Sequence, residues 1–98
     1  MLQGPAADAL VTECLAAFGN GSIAALYDLG VAFSTGSHGA ACDLVEAHKW
    51  FNLAALSGST RGQECRAEIA LEMTAREIAE AQRQARSWLG TTQQRYAA

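Results

Sequence analysis

The side chains best suited to hold a metal ion or to attack a substrate belong to the two histidines and three cysteines of this chain. His38, Cys42 and His48 lie within a short stretch, with Asp43 among them. Structural zinc sites use four ligands in closely spaced pairs, and this stretch has no such pairs. A catalytic thiolate needs a neighbouring base and a lowered pKa, and no spacing here places a histidine beside a thiol. We therefore expect no catalysis, no bound metal and no cofactor, with His48 facing outward from its helix.

Aromatic and acidic residues form a second group with possible binding chemistry. Three aromatic side chains lie within apolar stretches at helical spacing: Trp50, Phe51 and Trp88. This setting favours packing between helices over ligand binding. For Tyr27 we likewise expect packing first and contact with a ligand second. Glu64, Glu68 and Glu72 follow each other at four-residue intervals. Because like charges at this spacing repel unless water separates them, we expect a solvated helix face.

Composition and charge narrow the fold class and the partners. The chain has 98 residues, half of them apolar, and one proline, which suits one small domain with a hydrophobic core. Alanine is frequent and β-branched residues are sparse, so an all-α fold is expected. The formal net charge is −3, and residues 1–42 contain no Lys or Arg. Since no basic stripe exists, nucleic acid and a membrane surface are disfavoured as partners.

The cysteine count and the N-terminal sequence bear on the compartment. Cys14, Cys42 and Cys65 are odd in number and widely spaced, so we expect buried free thiols rather than a disulfide framework. The N-terminus has no basic segment followed by a long apolar core. No run approaches the roughly 20 apolar residues of a membrane span. The expected location is the cytoplasm, or the periplasm if the chain is processed.

Apolar spacing, capping residues and glycines divide the chain into five predicted helices. They cover residues 5–18, 22–34, 43–57, 59–73 and 74–89. Asp43 is predicted to cap the third of these helices, and Thr74 forms a capping box with Glu77 at the start of the last one. Gly58 and Gly90 suit helix ends. Residues 91–98 are polar, and we expect this tail to fray.

Two of the predicted helices carry clear packing signals. The second has one apolar face, made of Ile23, Leu26, Tyr27, Gly30 and Val31. A glycine inside a helix costs about 1 kcal/mol relative to alanine, so Gly30 predicts the close approach of another helix. The third sets the pair Ala54 and Ala55 against Trp50, which lets a neighbouring helix come close while the indole fills the gap.

The run from Ala25 to Gly58 resembles the Sel1-like repeat, a relative of the tetratricopeptide repeat. The match is carried by Ala25, Leu26, Tyr27, Leu29, Gly30, Phe33, Gly36, Gly39, Asp43, Ala47, Trp50, Phe51, Ala54, Ala55 and Gly58. The run from Arg61 to Leu89, which includes Trp88, resembles the terminal helical pair of many bacterial Sel1-like proteins. A short internal repeat at an offset of 38 residues agrees with a helical-hairpin repeat: Ala9 and residues 15–17 match Ala47 and residues 53–55.

This resemblance implies a short right-handed α-α superhelix, that is, a solenoid of antiparallel helical hairpins with about five helices. The single domain of residues 1–98 then consists of a half-repeat helix (5–18), a full repeat (22–58), a closing helical pair (59–90) and the tail (91–98). Two departures from the family pattern are visible. Gly36 and Gly39 are separated by two residues rather than one, and Glu46 stands where the family commonly has lysine.

The family also implies a function, namely non-catalytic protein–protein interaction as an adaptor or scaffold. A peptide or protein segment would bind the concave groove or an end face. The first helix of each hairpin lines that groove, so the candidate contacts are Tyr27, Asp28, Glu64 and Glu68. An acidic groove favours a basic segment. Two alternatives stay open: a regulatory subunit of an enzyme, and a self-associating homodimer that buries the apolar stripe of Leu10, Cys14 and Phe18.

Overall fold

The computed structural model describes residues 23–37 and 39–97, with side chains described as far as residue 90. Four helices follow one another in this part of the chain: α1 (Ile23–Thr35), α2 (Leu44–Leu56), α3 (Thr60–Ala70) and α4 (Ala75–Ala97). The described residues form no strand, so the expected all-α fold is confirmed for them. The predicted helix over residues 5–18, with its stripe of Leu10, Cys14 and Phe18, lies outside the described residues.

Side-chain caps start three of these helices where the sequence predicts. The Asp43 carboxylate accepts hydrogen bonds from the backbone N–H groups of Val45 (3.0 Å) and Glu46 (3.2 Å). The hydroxyl of Ser59 accepts from Gly62 N–H at 2.9 Å. Thr74 and Glu77 form the reciprocal capping box, with bonds of 2.8 and 3.1 Å. Because each cap satisfies N–H groups that the first helical turn leaves unpaired, the starts of α2, α3 and α4 are fixed locally.

Glycines end α2 but do not end α4. Gly58 follows α2 with φ of +111°, a left-handed conformation that closes the helix and favours glycine. Gly90 was predicted to do the same for α4, and this prediction is wrong because α4 continues to Ala97. Residues 91–97, predicted as a frayed tail, therefore belong to the helix. A glycine stops a helix only when it takes the left-handed conformation, and inside a helix it costs only about 1 kcal/mol.

Helix α2 is the centre of the fold because it packs against each of the other three described helices. The helix α1 also touches α3 over a shorter stretch, whereas α4 makes hardly any contact with α1 or α3. Buried apolar side chains from α1, α2 and α4 and from the loop before α2 make the core: Leu26, Leu29, Ala32, Phe33, Ala40, Ala47, Trp50, Phe51, Leu53, Ala54 and Ala85. In α3 only Gly62 is buried, so this helix lies on the outside of the core.

Two glycines set how closely the helices approach. A Cβ atom on Gly30 would lie 2.4 Å from Cδ1 of the buried Phe51 ring, so α1 rests directly on that ring. A Cβ on Gly62 would lie 3.0 Å from the Ala54 Cβ, where α3 crosses α2. The close helix approach predicted from Gly30 is therefore confirmed, and Gly62 supplies a second one. Real Cβ contacts are rarely this short, so a larger residue would force the helices or the ring to move.

The buried face of α1 differs from the predicted one. The helix buries Leu26, Leu29, Gly30 and Phe33, whereas Ile23 is 39% exposed and so is not part of the core. Two leucines outside α1 are also exposed: Leu56 at the end of α2, and Leu71 after α3, which is 88% exposed. Nine of the 13 residues of α1 are apolar, so its apolar surface is wider than one helix contact, and the face that becomes buried depends on where α2 lies.

The connection from α1 to α2 turns at two glycines. Gly36 and Gly39 have φ of +72° and +82°, a region that L side chains rarely adopt. The Asp43 N–H donates to the carbonyl of Phe33 at 2.9 Å, which joins the end of α1 to the start of α2. Among the described residues, no helix has the length and the apolar character to cross a membrane.

Candidate functional site

Tyr27 joins α1 to both α2 and α3. Its ring packs against Phe51 with the centroids 5.6 Å apart and the planes tilted by 48°. Its hydroxyl oxygen accepts hydrogen bonds from the Arg61 guanidinium (3.2 Å) and from the Cys65 thiol (3.8 Å), both on α3. The side chain is half-buried, with its ring in the core and its hydroxyl at the boundary of α1 and α3. We call Tyr27, Arg61 and Cys65 the tyrosine cluster.

Arg61 brings a positive charge to a surface that the sequence predicted to be acidic. Its guanidinium carbon lies 5.6 Å from the centroid of the Tyr27 ring, within the range of a cation–π contact. The hydrogen bond to the Tyr27 hydroxyl raises the pKa of Arg61, with smaller contributions from Cys65 and Glu64. The side chain is exposed, so solvent screens these interactions.

The predicted acidic contacts lie on the two helices that the tyrosine cluster joins. Asp28 follows Tyr27 on α1, while Glu64 and Glu68 lie on α3, and all three side chains are exposed. These three carboxylates outnumber the two cations of the same helices, Arg61 and Arg66, by one, so negative charge is in excess. This group, Tyr27 with Asp28, Glu64 and Glu68, is called the α1/α3 surface below.

The positions taken from the repeat pattern divide into core and surface. Nine are buried: Ala25, Leu26, Leu29, Gly30, Phe33, Ala47, Trp50, Phe51 and Ala54. Ala55 and Trp88 are half-buried, whereas Gly36, Gly39, Asp43 and Gly58 are exposed at the helix connections. The buried positions therefore lie on α1 and α2, where these two helices belong to the core. The exposed positions cap a helix or turn the chain between helices.

A second region of interest is a groove of about 350 Å³ between α2 and α4. Its lining consists of one residue from α2 and four from α4: Lys49, Arg83, Gln84, Ser87 and Trp88. Most of these side chains are polar, and two of them are cations. Among them, only Trp88 was singled out from the sequence. This region is called the α2/α4 groove below.

On the α2 side of the groove, Glu46 holds two neighbours in place. It accepts a hydrogen bond from the Lys49 ammonium at 2.9 Å and another from the indole Nε1–H of Trp50 at 3.0 Å. The Lys49 ammonium also lies 4.8 Å from the Trp50 ring centroid. The side chains of Lys49 and Glu46 are only 14% and 17% exposed, so this ion pair is better shielded than a surface pair. Glu46, a departure from the family pattern, thus orients the aromatic residue beside it.

On the α4 side, Glu80 performs a similar task. It accepts hydrogen bonds from two nitrogens of the Arg83 guanidinium and one from the Gln84 amide at 2.8 Å. These donors, Arg83 first, lower the pKa of Glu80 to about 2. Trp88 meets Trp50 edge to face, with the ring centroids 5.8 Å apart. The two indoles therefore connect α4 to α2 at the groove.

His48 corrects the sequence analysis because it is buried rather than outward-facing. It is 3% exposed, and its Nδ1 has no hydrogen-bond partner among the described residues. Burial lowers the pKa of His48, and the positive charge of Arg66 lowers it further. Arg66 itself donates to the amide oxygen of Asn52 at 2.5 Å. Because α2 packs against all three other described helices, His48, the residue after Ala47, lies inside the protein.

The histidines and cysteines that were weighed as metal ligands or nucleophiles differ in where they lie. No three His, Cys, Asp or Glu side chains in this part of the chain come together as a metal site. His38 and Cys14 lie outside the described residues. Cys42 is exposed rather than buried, and its thiol donates to the Ser34 carbonyl at 3.6 Å. Cys65 is half-buried in the tyrosine cluster.

Sequence reasoning missed Glu46, Lys49 and Arg83, although part of the signal was present. Glu46 is three residues before Lys49 and four before Trp50, which places all three on one helix face. Arg83 is three residues after Glu80 in the same way. Such pairs occur on any solvated helix. Only the packing of α2 on α4 turns them into two walls of one groove.

No protein family, curated protein or solved structure matches this chain in the comparisons made. The Sel1-like resemblance therefore stays a prediction based on the residues given above.

Proposed function

We propose that this chain is a non-catalytic protein-interaction module that binds a basic peptide segment on the α1/α3 surface. The observation that carries this proposal is the tyrosine cluster. It holds an aromatic ring and its hydroxyl at the boundary of α1 and α3, the two helices that carry the exposed carboxylates of Asp28, Glu64 and Glu68. An aromatic residue on a surface with an excess of one sign of charge is the kind of feature that a peptide of complementary charge recognises.

The helix arrangement supports the proposal that the chain is a short solenoid of Sel1-like hairpins. Helix α1 lies beside α3, and α2 lies beside α4, which is the order in which successive hairpins stack in such solenoids. The exposed side of α4 is polar and includes Arg76, Gln82 and Arg86. A polar outer face is what a terminal repeat needs in order to stay in water.

The chemistry of the surface defines what it would bind. A lysine or arginine side chain of a peptide would pair with the exposed carboxylates, and its aliphatic part would pack against the Tyr27 ring. Each exposed ion pair contributes about 0–1 kcal/mol, so several are needed for useful affinity. Binding of this kind weakens with salt because the charges are in contact with solvent.

Binding of a basic and an acidic peptide pool, measured at low and at high salt, tests the proposal. The basic pool is expected to bind more tightly, and its affinity should fall as salt rises. Asp28→Asn should weaken this binding by up to about fivefold, which corresponds to the loss of one exposed ion pair.

Gln82→Lys is the matched control because it also raises the net charge by one unit, on the exposed side of α4. If both variants weaken binding equally, only the overall charge matters and the α1/α3 surface is not the site. If the acidic pool binds as well as the basic one, or neither pool binds, the proposal is wrong.

A further inference from the structure

The side chains that line the α2/α4 groove include two cations and no carboxylate. Lys49 and Arg83 line the groove, whereas their partners Glu46 and Glu80 are not part of its lining. The four charges sum to zero. The surface that a ligand would meet is therefore positive, although the region as a whole is neutral.

Both cations that line the groove have more hydrogen-bond donors than their partner carboxylates use. An ammonium has three N–H groups, and Lys49 gives one of them to Glu46. A guanidinium has five, and Arg83 gives two of them to Glu80. Ser87 and Gln84 add a hydroxyl and an amide to the same lining. An oxyanion can accept from several of these groups at once, which is how arginine and lysine usually bind carboxylates.

The groove also offers an apolar flat surface next to these donors. Trp88 lines it, and Trp50 supports Trp88 from the side with an edge-to-face contact. The groove has a volume of about 350 Å³ and is open to solvent, so part of a bound ligand stays in contact with water. The space therefore suits a compact ligand with a planar apolar part and one charged end.

We propose that the α2/α4 groove binds a small aromatic carboxylate, with its carboxylate on Lys49 and Arg83 and its ring against Trp88. The planar carboxylate can accept from the donors of the groove while the ring packs against Trp88, whereas inorganic phosphate has no apolar part to pack there. The site is separate from the α1/α3 surface and does not depend on the function proposed for it.

Nuclear magnetic resonance titration of the full chain tests this proposal with three probes: benzoate, benzamide and inorganic phosphate. The chain has two tryptophans, and both belong to the groove region, so their indole N–H signals report directly on binding. Benzoate is expected to shift these signals in a saturable way, with benzamide and phosphate at least about tenfold weaker. Equal binding of benzamide would show that the cations contribute nothing and would overturn the proposal. Phosphate binding as tight as benzoate, or no saturable benzoate binding, would overturn it as well.

Variants place the ligand within the groove. Arg83→Gln should weaken benzoate binding about tenfold, which is the loss of one charge-assisted hydrogen-bonded contact. Arg86→Gln removes the same charge from an exposed position of the same helix, outside the groove lining, and should change the affinity less than about twofold. Ser87→Glu adds a carboxylate to the lining and should abolish binding. Circular dichroism of each variant confirms that the fold is kept. If Arg83→Gln and Arg86→Gln weaken binding equally, or if Ser87→Glu leaves it intact, the assignment to this groove is wrong.

Discussion

Gly30 is the position where the structure lets us predict most clearly how a substitution changes stability. An alanine there would place a methyl group 2.4–2.8 Å from three carbons of the Phe51 ring. An ordinary contact is about 1 Å longer, so the ring or the helix would have to move by that amount. The ring cannot easily retreat, because Phe51 is 1% exposed and the Tyr27 ring also packs against it.

The size of the effect follows from two opposing contributions. Overpacking of a buried core costs about 1–3 kcal/mol, and a clash with a fully buried ring belongs at the upper end of this range. Alanine in place of glycine inside a helix stabilises it by about 1 kcal/mol. Gly30→Ala should therefore lower the free energy of unfolding by about 2 kcal/mol, or the melting temperature by about 10 °C.

Gly90→Ala is the matched control for this experiment. Gly90 lies within α4, and a Cβ there would meet no atom of the described residues within 4 Å. The same substitution should stabilise the protein by up to about 1 kcal/mol, because only the helix propensity changes. Urea unfolding followed by circular dichroism measures both variants. If Gly30→Ala is as stable as Gly90→Ala, the close contact between α1 and Phe51 does not exist in solution.

A double variant tests the cause of the destabilisation. Phe51→Leu removes the ring that the new methyl group would strike, so Gly30→Ala should cost less in its presence. The coupling energy between the two changes should reach about 1 kcal/mol or more. Strict additivity of the two variants would mean that Gly30→Ala acts through something other than the ring.

Two further predictions concern pH and capping. The pKa of His48 is lowered below its ordinary value of 6.5, so the folded state binds its proton less readily than the unfolded state. The contribution of His48 to the free energy of unfolding should therefore be fully present above about pH 6.5 and fall as the pH decreases through that value. The variant His48→Leu should flatten this dependence between about pH 7.5 and 5.5. Melting curves across this range decide, and an unchanged slope in the variant would contradict a neutral buried imidazole. Asp43→Ala removes the cap of α2 and should cost about 1 kcal/mol in denaturant unfolding, whereas Asp43→Asn should cost only a few tenths. Equal losses would mean that the oxygen at this position is not what stabilises the helix.

The sequence predicts the helix starts well because their causes are local. Asp43 accepts hydrogen bonds from the N–H groups two and three residues further along the chain, and Thr74 and Glu77 are three residues apart. Each capping motif is therefore contained within one helical turn. The error at Gly90 is different in kind. A glycine permits the left-handed conformation that ends a helix but does not impose it, and the sequence alone does not decide between the two.

The candidate surfaces were less predictable because they join residues far apart in the chain. Arg61 reaches the Tyr27 hydroxyl across a separation of 34 residues, and this contact depends on how α3 lies against α1. His48 was misplaced for a related reason. A helix in contact with neighbours on three sides has little outward surface, and the number of neighbours is a property of the tertiary fold.

Adjacent residues of α2 support the two proposed binding regions. Phe51 packs against Tyr27 of the α1/α3 surface, while Trp50 packs against Trp88 of the α2/α4 groove. Successive residues of a helix point about 100° apart, so the two contacts lie on different sides of α2. Among the described helices, α4 hardly touches α1 or α3, so α2 is the helix that connects the two regions. A change at Gly30 presses on Phe51, so it should disturb the α1/α3 surface first and leave benzoate binding in the groove largely intact.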